Sequence, residues 1–324
     1  MNDTKIALDE MKKHSSDYLL IRRNIGFKCN NEEKNLKSYM SHYGKTEDVL
    51  SQDNIAEWCK RRPTDAADTW QHRVAYIRQF LVYLRNMGLI VYVPALVKNH
   101  EKSFFTPYIY SSEEMNSIYK VCDNLRAGGC NTHNGLFAMP ILVRMLAGTG
   151  MRISEALSLM VNDVVLDDGY VILHGCKNGK DRIVPLSDTL LEACKLYNIY
   201  RCRLPRLLDH FLVQADGSPL SYRSVVGWWQ KILQKAGIQH RGDLYGPRIH
   251  DLRHLFCIES ACLQAKNGAN FYTILPVLST YVGHSDIAST DRYLRLTAEM
   301  YPEIMSKTED VCEYILPTMK SHEY

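Results

Sequence analysis

NDVVLDDGYVILHGCKNGKDRIVPLS, residues 162–187, is where the periodicity of the chain changes. On either side apolar residues return every three or four positions, the spacing of one helix face, whereas here they form short runs that read as β segments. Asn178-Gly179 predicts a hairpin turn, because both residue types tolerate the positive φ that a two-residue connection requires. The fold is therefore expected to be mainly α with a small β-sheet, an α+β arrangement.

Upstream, SSEEMNSIYKVCDNLRAGG (111–129) reads as a helix with a Ser cap and a Gly stop, and residues 136–148 continue as a buried helix. The first hundred residues look helical throughout. Asn31 is the expected cap of EEKNLKSYMSHYG, Ser51 of QDNIAEWCKRR, and Thr64 of DAADTWQHRVAYIRQFLVYLRNMG, which closes on Gly88. Four helices in a small bundle are expected. The polar stretch VKNHEKSFFTP lies between periodic segments, which gives a division into 1–97, a linker over 98–107, and a second domain over 108–324 that is helical again after the hairpin.

Composition narrows the class. With 324 residues, each half is long enough to bury its own core, and 46% hydrophobic with 23% charged residues is ordinary for a globular protein. The N-terminus MNDTKIALDEMKKH lacks the apolar core of a signal peptide. The longest apolar stretch, LFAMPILVRMLA, is broken by Arg144 and falls short of the ~20 residues that span a bilayer, so no membrane role is expected. Ten scattered cysteines form no CxxC pair, which points to reduced thiols in a cytoplasmic protein. Cys130 with His133 and Cys257 with Cys262 lack a matched second half, so no metal site is expected. Residues 1–107 carry 17 Lys and Arg against 13 Asp and Glu, while 108–324 carry 22 against 23. The N-terminal excess is compatible with nucleic acid, and Lys60, Arg61, Arg62, Arg73 and Arg78 are candidate phosphate contacts.

Four short segments carry candidate chemistry. AGTGMRISEALSLM (147–160) puts Arg152 at a helix start with Glu155 three residues on, where a guanidinium and backbone donors suit an oxyanion. IHDLRHLF (249–256) places His250 and Arg253 on one helix face. Lys177 and Lys180 flank the hairpin turn, from which an ammonium can reach a cleft and protonate a leaving alkoxide. YVGHSDIASTDRYLRLT (281–297) holds His284 and, nine positions later, Tyr293. Taken singly, each is an ordinary surface ion pair, cap, turn lysine or core tyrosine. Together they supply what a phenol of pKa ~10 needs to attack, namely cations and a base that stabilise the phenolate and a five-coordinate phosphorus. No carboxylate cluster for two metal ions and no Walker motif is found, so phosphoryl transfer without cofactor or ATP is expected.

TGMRISE, then KNGKDRIVPL, then HDLRH, then Gly283-His284 followed by Tyr293, in that order, resembles the tyrosine recombinase family of phage integrases, Xer recombinases and mobile-element integrases. The likeness covers 108–300, and the N-terminal bundle resembles the family's core-binding domain. The resemblance implies that Arg152 and Arg253 clamp the scissile phosphate and that His250 and His284 bond to the nucleophile and the phosphate. Tyr293 then forms a 3′-phosphotyrosine, and Glu155 orients its neighbours. Lys177, located by counting back from Val184-Pro185-Leu186, matches the general acid, with Lys180 as competitor. Val282 and Met151 replace the leucines common in relatives, changes of packing only.

The same resemblance implies double-stranded DNA with inverted half-sites as partner. It also implies a homo-tetramer on that DNA, or a hetero-complex with related recombinases, in the cytoplasm at the nucleoid. It extends to a C-terminal helix after Tyr293 that packs on a neighbouring protomer. Because the bundle begins almost at residue 1, no arm-binding domain is expected ahead of it. Integration, excision or transposition of a mobile element is the expected role. The alternatives are Xer-like chromosome or plasmid dimer resolution, a type IB topoisomerase-like activity, and an accessory DNA-binding subunit that does not cleave alone.

Overall fold

The computed structural model describes residues 6–97, 107–126, 134–175, 181–204, 209–242, 246–269 and 271–283. The chain divides into two compact units, 1–104 and 105–324. Among the described residues no helix is long and apolar enough to cross a membrane.

In the first unit, α1 (Leu8–Asn24), α2 (Asn30–Tyr43), α3 (Gln52–Cys59) and α4 (Ala67–Asn86) pack around one apolar core. Met11 and Tyr18 from α1, Leu36 and Tyr39 from α2, Ile55 and Trp58 from α3, and Ile77, Phe80, Leu81 and Leu84 from α4 fill it. The Tyr39 ring meets Trp58 edge-on at 5.3 Å, and its hydroxyl donates to the Val49 carbonyl at 2.8 Å, so the phenol is buried with its polar end satisfied.

Ser51 does cap α3, accepting from the Asn54 amide at 3.3 Å, and Gly88 follows α4 with φ +90°. The other two expected caps are displaced. α2 starts one residue before Asn31, entered through Cys29 at φ +52° with no side-chain cap. α4 starts at Ala67 rather than after Thr64, because Asp65 is committed to Arg73 and to the Arg62 amide in a turn ahead of the helix.

The second unit is organised around α6 (Met139–Thr149), entered through a 3-10 turn, Gly135–Ala138, with a proline in its first turn. Met139, Ile141, Leu142, Val143, Met145 and Leu146 are all buried, so this helix is apolar nearly all round and takes neighbours on several faces. Those neighbours are α5 (Ser112–Asp123), α8 (Asp188–Arg201) and α10 (Asp251–Lys266), with the short α7 (Ile153–Ser158) following in sequence. Ser111 caps α5 in a reciprocal box with Glu114. α5 ends at Asp123 with Asn124 at its C-terminal cap, ahead of the glycine stop expected from the sequence.

The predicted hairpin is the core of a three-stranded antiparallel sheet, β1 (Val164–Val165), β2 (Tyr170–Leu173) and β3 (Arg182–Pro185), in the order β1-β2-β3. Its register pairs Tyr170 with Pro185 and Leu173 with Arg182. α9 (Tyr222–Lys235) covers the core with Val225, Trp229, Ile232 and Leu233. α11 (Phe271–Val282) packs on α10 through Ile274, Leu278 and Val282. Cys257 and Cys262 are buried in that same contact, which makes them packing residues.

Candidate active site

Four segments remote in sequence meet at the end of α11. The first is the corner between α6 and α7. α6 stops because Gly150 turns left-handed at φ +62°, and this swings Arg152 into the residue position just ahead of α7. At the third position of α7, Glu155 accepts from the Arg152 amide at 2.8 Å and from its Nη1 at 2.8 Å. The i,i+3 pair expected from the spacing is thus formed, and it is held by main chain as well as side chain.

The second segment is α10. Asp251, 0% exposed, accepts from the Arg248 amide at 2.8 Å and its Nη2 at 3.0 Å, fixing the first turn. Arg253, two residues on and only 3% exposed, donates from Nη1 to the Gly150 carbonyl and from Nη2 to the Val282 carbonyl, each at 2.7 Å. His250 precedes the helix without making a side-chain cap. Burial, then the Arg253 charge, lowers its pKa from the usual 6.5, with Arg248 and Arg152 acting in the same sense and Asp251 against. Its ring lies edge-on to His254 at 5.4 Å.

The third segment is the exit of α11. Gly283 takes φ +70°, and its carbonyl accepts from Arg152 Nη2 at 2.6 Å. Arg152 and Arg253 therefore grip consecutive carbonyls at the negative end of a helix. The next residue in the chain is His284.

The fourth segment is β3, and it contributes a residue that the motif reading passed over. Arg182 donates to Glu155 twice, Nη1 to Oε1 at 2.9 Å and Nη2 to Oε2 at 2.6 Å. A Cβ built on Gly283 would lie 3.1 Å from Arg182 Nη1 and 3.6 Å from Arg152 Nη1. The signal was in the strand's own period. Val184 is buried while Ile183 is 64% exposed, so position 182 shares the inward phase with Val184, and an arginine there needs a partner.

The expected site residues thus separate into two sets. Arg152, Glu155, His250 and Arg253 come together. Lys177, Lys180, His284 and Tyr293 lie outside the described residues. At the base of the hairpin His174 bridges Asp181 at 2.8 Å and Asp163 at 3.2 Å, immediately before the segment that carries the two lysines.

Residues 110–300 match the family model of the phage integrase family. The chain belongs to that family.

This recombinase is 26% identical over 313 residues to y4rB of Sinorhizobium fredii, provisionally named an integrase/recombinase, with 90% of this chain and 95% of that one covered. It is 26% identical over 238 residues to the tyrosine recombinase XerC of Listeria innocua, covering 71% and 72%. Among solved structures, the lambda integrase tetramer bound to a Holliday junction matches with a TM-score of 0.62 at 16% identity, over 90% of this chain and 78% of that one, which is a likeness of fold. The protein is a site-specific recombinase of the tyrosine type.

The electrostatics of the recombinase's arginine site can be tested through Glu155, which is 9% exposed. Burial alone would raise its carboxyl. Arg182 and Arg152 reverse that and bring it from 4.5 down to about 2. A carboxyl depressed on folding adds stability that is complete above 4.5 and is lost as pH falls toward about 2. The expected loss across that window is on the order of 3 kcal/mol. Denaturant titrations at pH 6, 4 and 2 should show a steeper acid decline for the native protein than for Glu155→Gln; equal slopes would mean that the pairing is not made.

In the first unit one candidate phosphate contact is corrected. Arg73 is 7% exposed and donates to the carbonyls of Trp58 at 2.7 Å and Lys60 at 2.9 Å as well as to Asp65. It braces the connection between α3 and α4 and is not available to DNA. Arg62 stacks over Trp58 at 4.8 Å and Arg61 over Trp70 at 5.9 Å, on the rim of a cavity of about 680 Å³ that Lys60 also lines.

Proposed function

We propose that the protein cuts and rejoins double-stranded DNA with Tyr293 as nucleophile, in the service of integration, excision or transposition of a mobile element. The observation that carries this reading is that Arg152 and Arg182 meet at Gly283, directly before His284, with Glu155 bonded to both, while Arg253 holds the adjacent Val282 carbonyl. That arrangement supports reading Arg152 and Arg253 as the phosphate clamp, since the expected nucleophile follows Gly283 in sequence.

The Tyr293 hydroxyl attacks the scissile phosphorus and passes its proton to His250. Arg152 and Arg253, with His284, stabilise the added negative charge on the non-bridging oxygens. The bond from phosphorus to the 5′-oxygen breaks, and Lys177, or Lys180 in its place, supplies the proton to that oxygen. The product is a 3′-phosphotyrosine and a free 5′-hydroxyl. Attack by a 5′-hydroxyl of another strand reverses the step, so neither ATP nor a cofactor is consumed.

The unit over 1–104, with Arg61 and Arg62, would hold duplex DNA by its phosphates while inverted half-sites pair the protomers. Four protomers exchange two duplexes, as the lambda integrase tetramer on a Holliday junction illustrates for a protein of the same fold. A DNA substrate would be met in the cytoplasm at the nucleoid, where this reading has the protein act. A second reading, Xer-like dimer resolution, is favoured by the alignment with XerC over 71% of the chain.

The test is a nicked suicide duplex carrying a site first selected from random DNA, followed by peptide mapping of any covalent adduct. The expected result is a nucleotide attached to the peptide containing Tyr293. Specific binding with no adduct, or an adduct on another residue, would replace this reading with an accessory or differently built enzyme.

A further inference from the structure

We infer that Arg182 is a positioning residue for the cleavage reaction, one that balances the Glu155 carboxylate so that Arg152 retains its positive charge for the scissile phosphate; this rests on the recombinase reading above. The inference starts from charge. Glu155 sits within hydrogen-bond distance of Arg152, and a carboxylate that close cancels the field of one guanidinium at the very place where an anion is to be bound. A clamp of Arg152 and Glu155 alone would be neutral. Arg182 donates to both carboxylate oxygens, so the three-residue group carries one net positive charge.

Geometry adds a second role through the same atoms. Arg182 Nη1 and Arg152 Nη1 share Glu155 Oε1, which fixes one guanidinium relative to the other. Both lie against the space where Gly283 lacks a side chain, and Arg152 is held to the Gly283 carbonyl. Arg182 therefore locks the Arg152 side chain in the orientation that faces the exit of α11. Its place on β3 makes that lock rigid, since the strand is paired through Leu173, itself buried. Arg182 acts through Glu155 and Arg152, and no contact with the DNA is ascribed to it.

The test compares the native protein with Arg182→Gln, Arg182→Lys and the double variant Arg182→Gln with Glu155→Gln. Three quantities are read: the single-turnover rate of adduct formation on a nicked duplex, affinity for the same duplex, and Tm. The expected outcome is a roughly 100-fold slower cleavage for Arg182→Gln with near-native affinity, the size of effect seen when one preorganised charge is lost from a transition state. Arg182→Lys should recover part of that rate by restoring charge. The double variant should also cleave faster than Arg182→Gln, because the unbalanced carboxylate is gone, although it has lost one more native ion pair.

A brace without an electrostatic role would give the opposite ranking, with the double variant slowest and rate tracking Tm. That ranking, or an Arg182→Gln protein that cleaves at the native rate, overturns the inference, and so does failure of all three variants to fold. If the native protein forms no adduct on its site, the recombinase mechanism falls and this inference with it. A native adduct with unchanged variant rates removes the inference alone.

Discussion

Arg253→Ala is expected to leave no measurable covalent adduct and to lower Tm by about 10 °C. Both losses come from one side chain with two duties. Its guanidinium joins the Gly150 carbonyl at the α6–α7 corner to the Val282 carbonyl at the end of α11, each at 2.7 Å, and it is 3% exposed. Removing it leaves two carbonyls unpaired in a buried place. Hydrogen bonds to a charged group contribute about 1.5–3 kcal/mol each, so the pair is worth on the order of 3–6 kcal/mol. At about 2–4 °C per kcal/mol for a unit of this size, the melting shift follows.

The catalytic loss is separate. A donor aimed at developing negative charge supplies roughly 100- to 1000-fold, and the displaced exit of α11 adds misplacement of the downstream residues. Calorimetry and a suicide-duplex assay measure the two effects. Arg253→Lys should regain stability only in part, because an ammonium cannot span two carbonyls with a fixed fork. An Arg253→Ala protein that cleaves within tenfold of the native rate would show that this guanidinium is a tether and nothing more.

Gly150→Ala carries the second large effect, although it removes nothing. Gly150 has φ +62°, where a Cβ costs about 1–2 kcal/mol. That Cβ would also lie 2.3 Å from Cδ1 of the Phe256 ring. The ring has little freedom to retreat, since it stacks on Tyr281 at 5.6 Å and sits between α10 and α11. Overpacking of this kind costs about 1–3 kcal/mol, which brings the total to roughly 2–5 kcal/mol. Because the Gly150 carbonyl is also the Arg253 acceptor, cleavage should fall with stability. Combining Gly150→Ala with Phe256→Leu should return part of the lost Tm by making room, while the strain at φ remains. A single variant that melts within about 2 °C of the native protein would disprove the left-handed corner.

The segments that proved legible were those whose chemistry is local. Ser51 and Ser111 cap because a hydroxyl reaches an amide three residues on, and the helices after them begin where expected. The β segments read over 162–187 do form strands that pair antiparallel, while the Asn178-Gly179 turn lies outside the described residues. Thr64 failed as a cap through competition, since Asp65 is drawn to Arg73, a residue that no local pattern connects with it.

The same limit applies to the site. The pairing of Arg152 with Glu155 follows from helical spacing, but the approach of Arg182 from β3 depends on how the sheet docks, 27 residues away in sequence. Gly150 and Gly283 matter through atoms of Phe256, Arg152 and Arg182 that come near only in the folded unit. Arg73 was misread for a related reason. A basic residue on an amphipathic helix is ordinarily solvated, and its three acceptors lie at the end of α3 and in the turn after it, whose shape the periodicity does not disclose.

The carbonyl grip on α11 also bears on when the enzyme becomes dangerous. Arg152 and the Gly283 carbonyl are separated by 131 residues, and Arg253 and the Gly150 carbonyl by 103. Contacts closed over such distances form only after most of the surrounding core has condensed. A nascent chain still on the ribosome holds Arg152 long before it has made Gly283, and so cannot assemble the arrangement piecemeal. A site-specific recombinase thereby gains a safeguard from topology alone: the arginine grip on α11 is absent until both the α6–α7 corner and the end of α11 have been made.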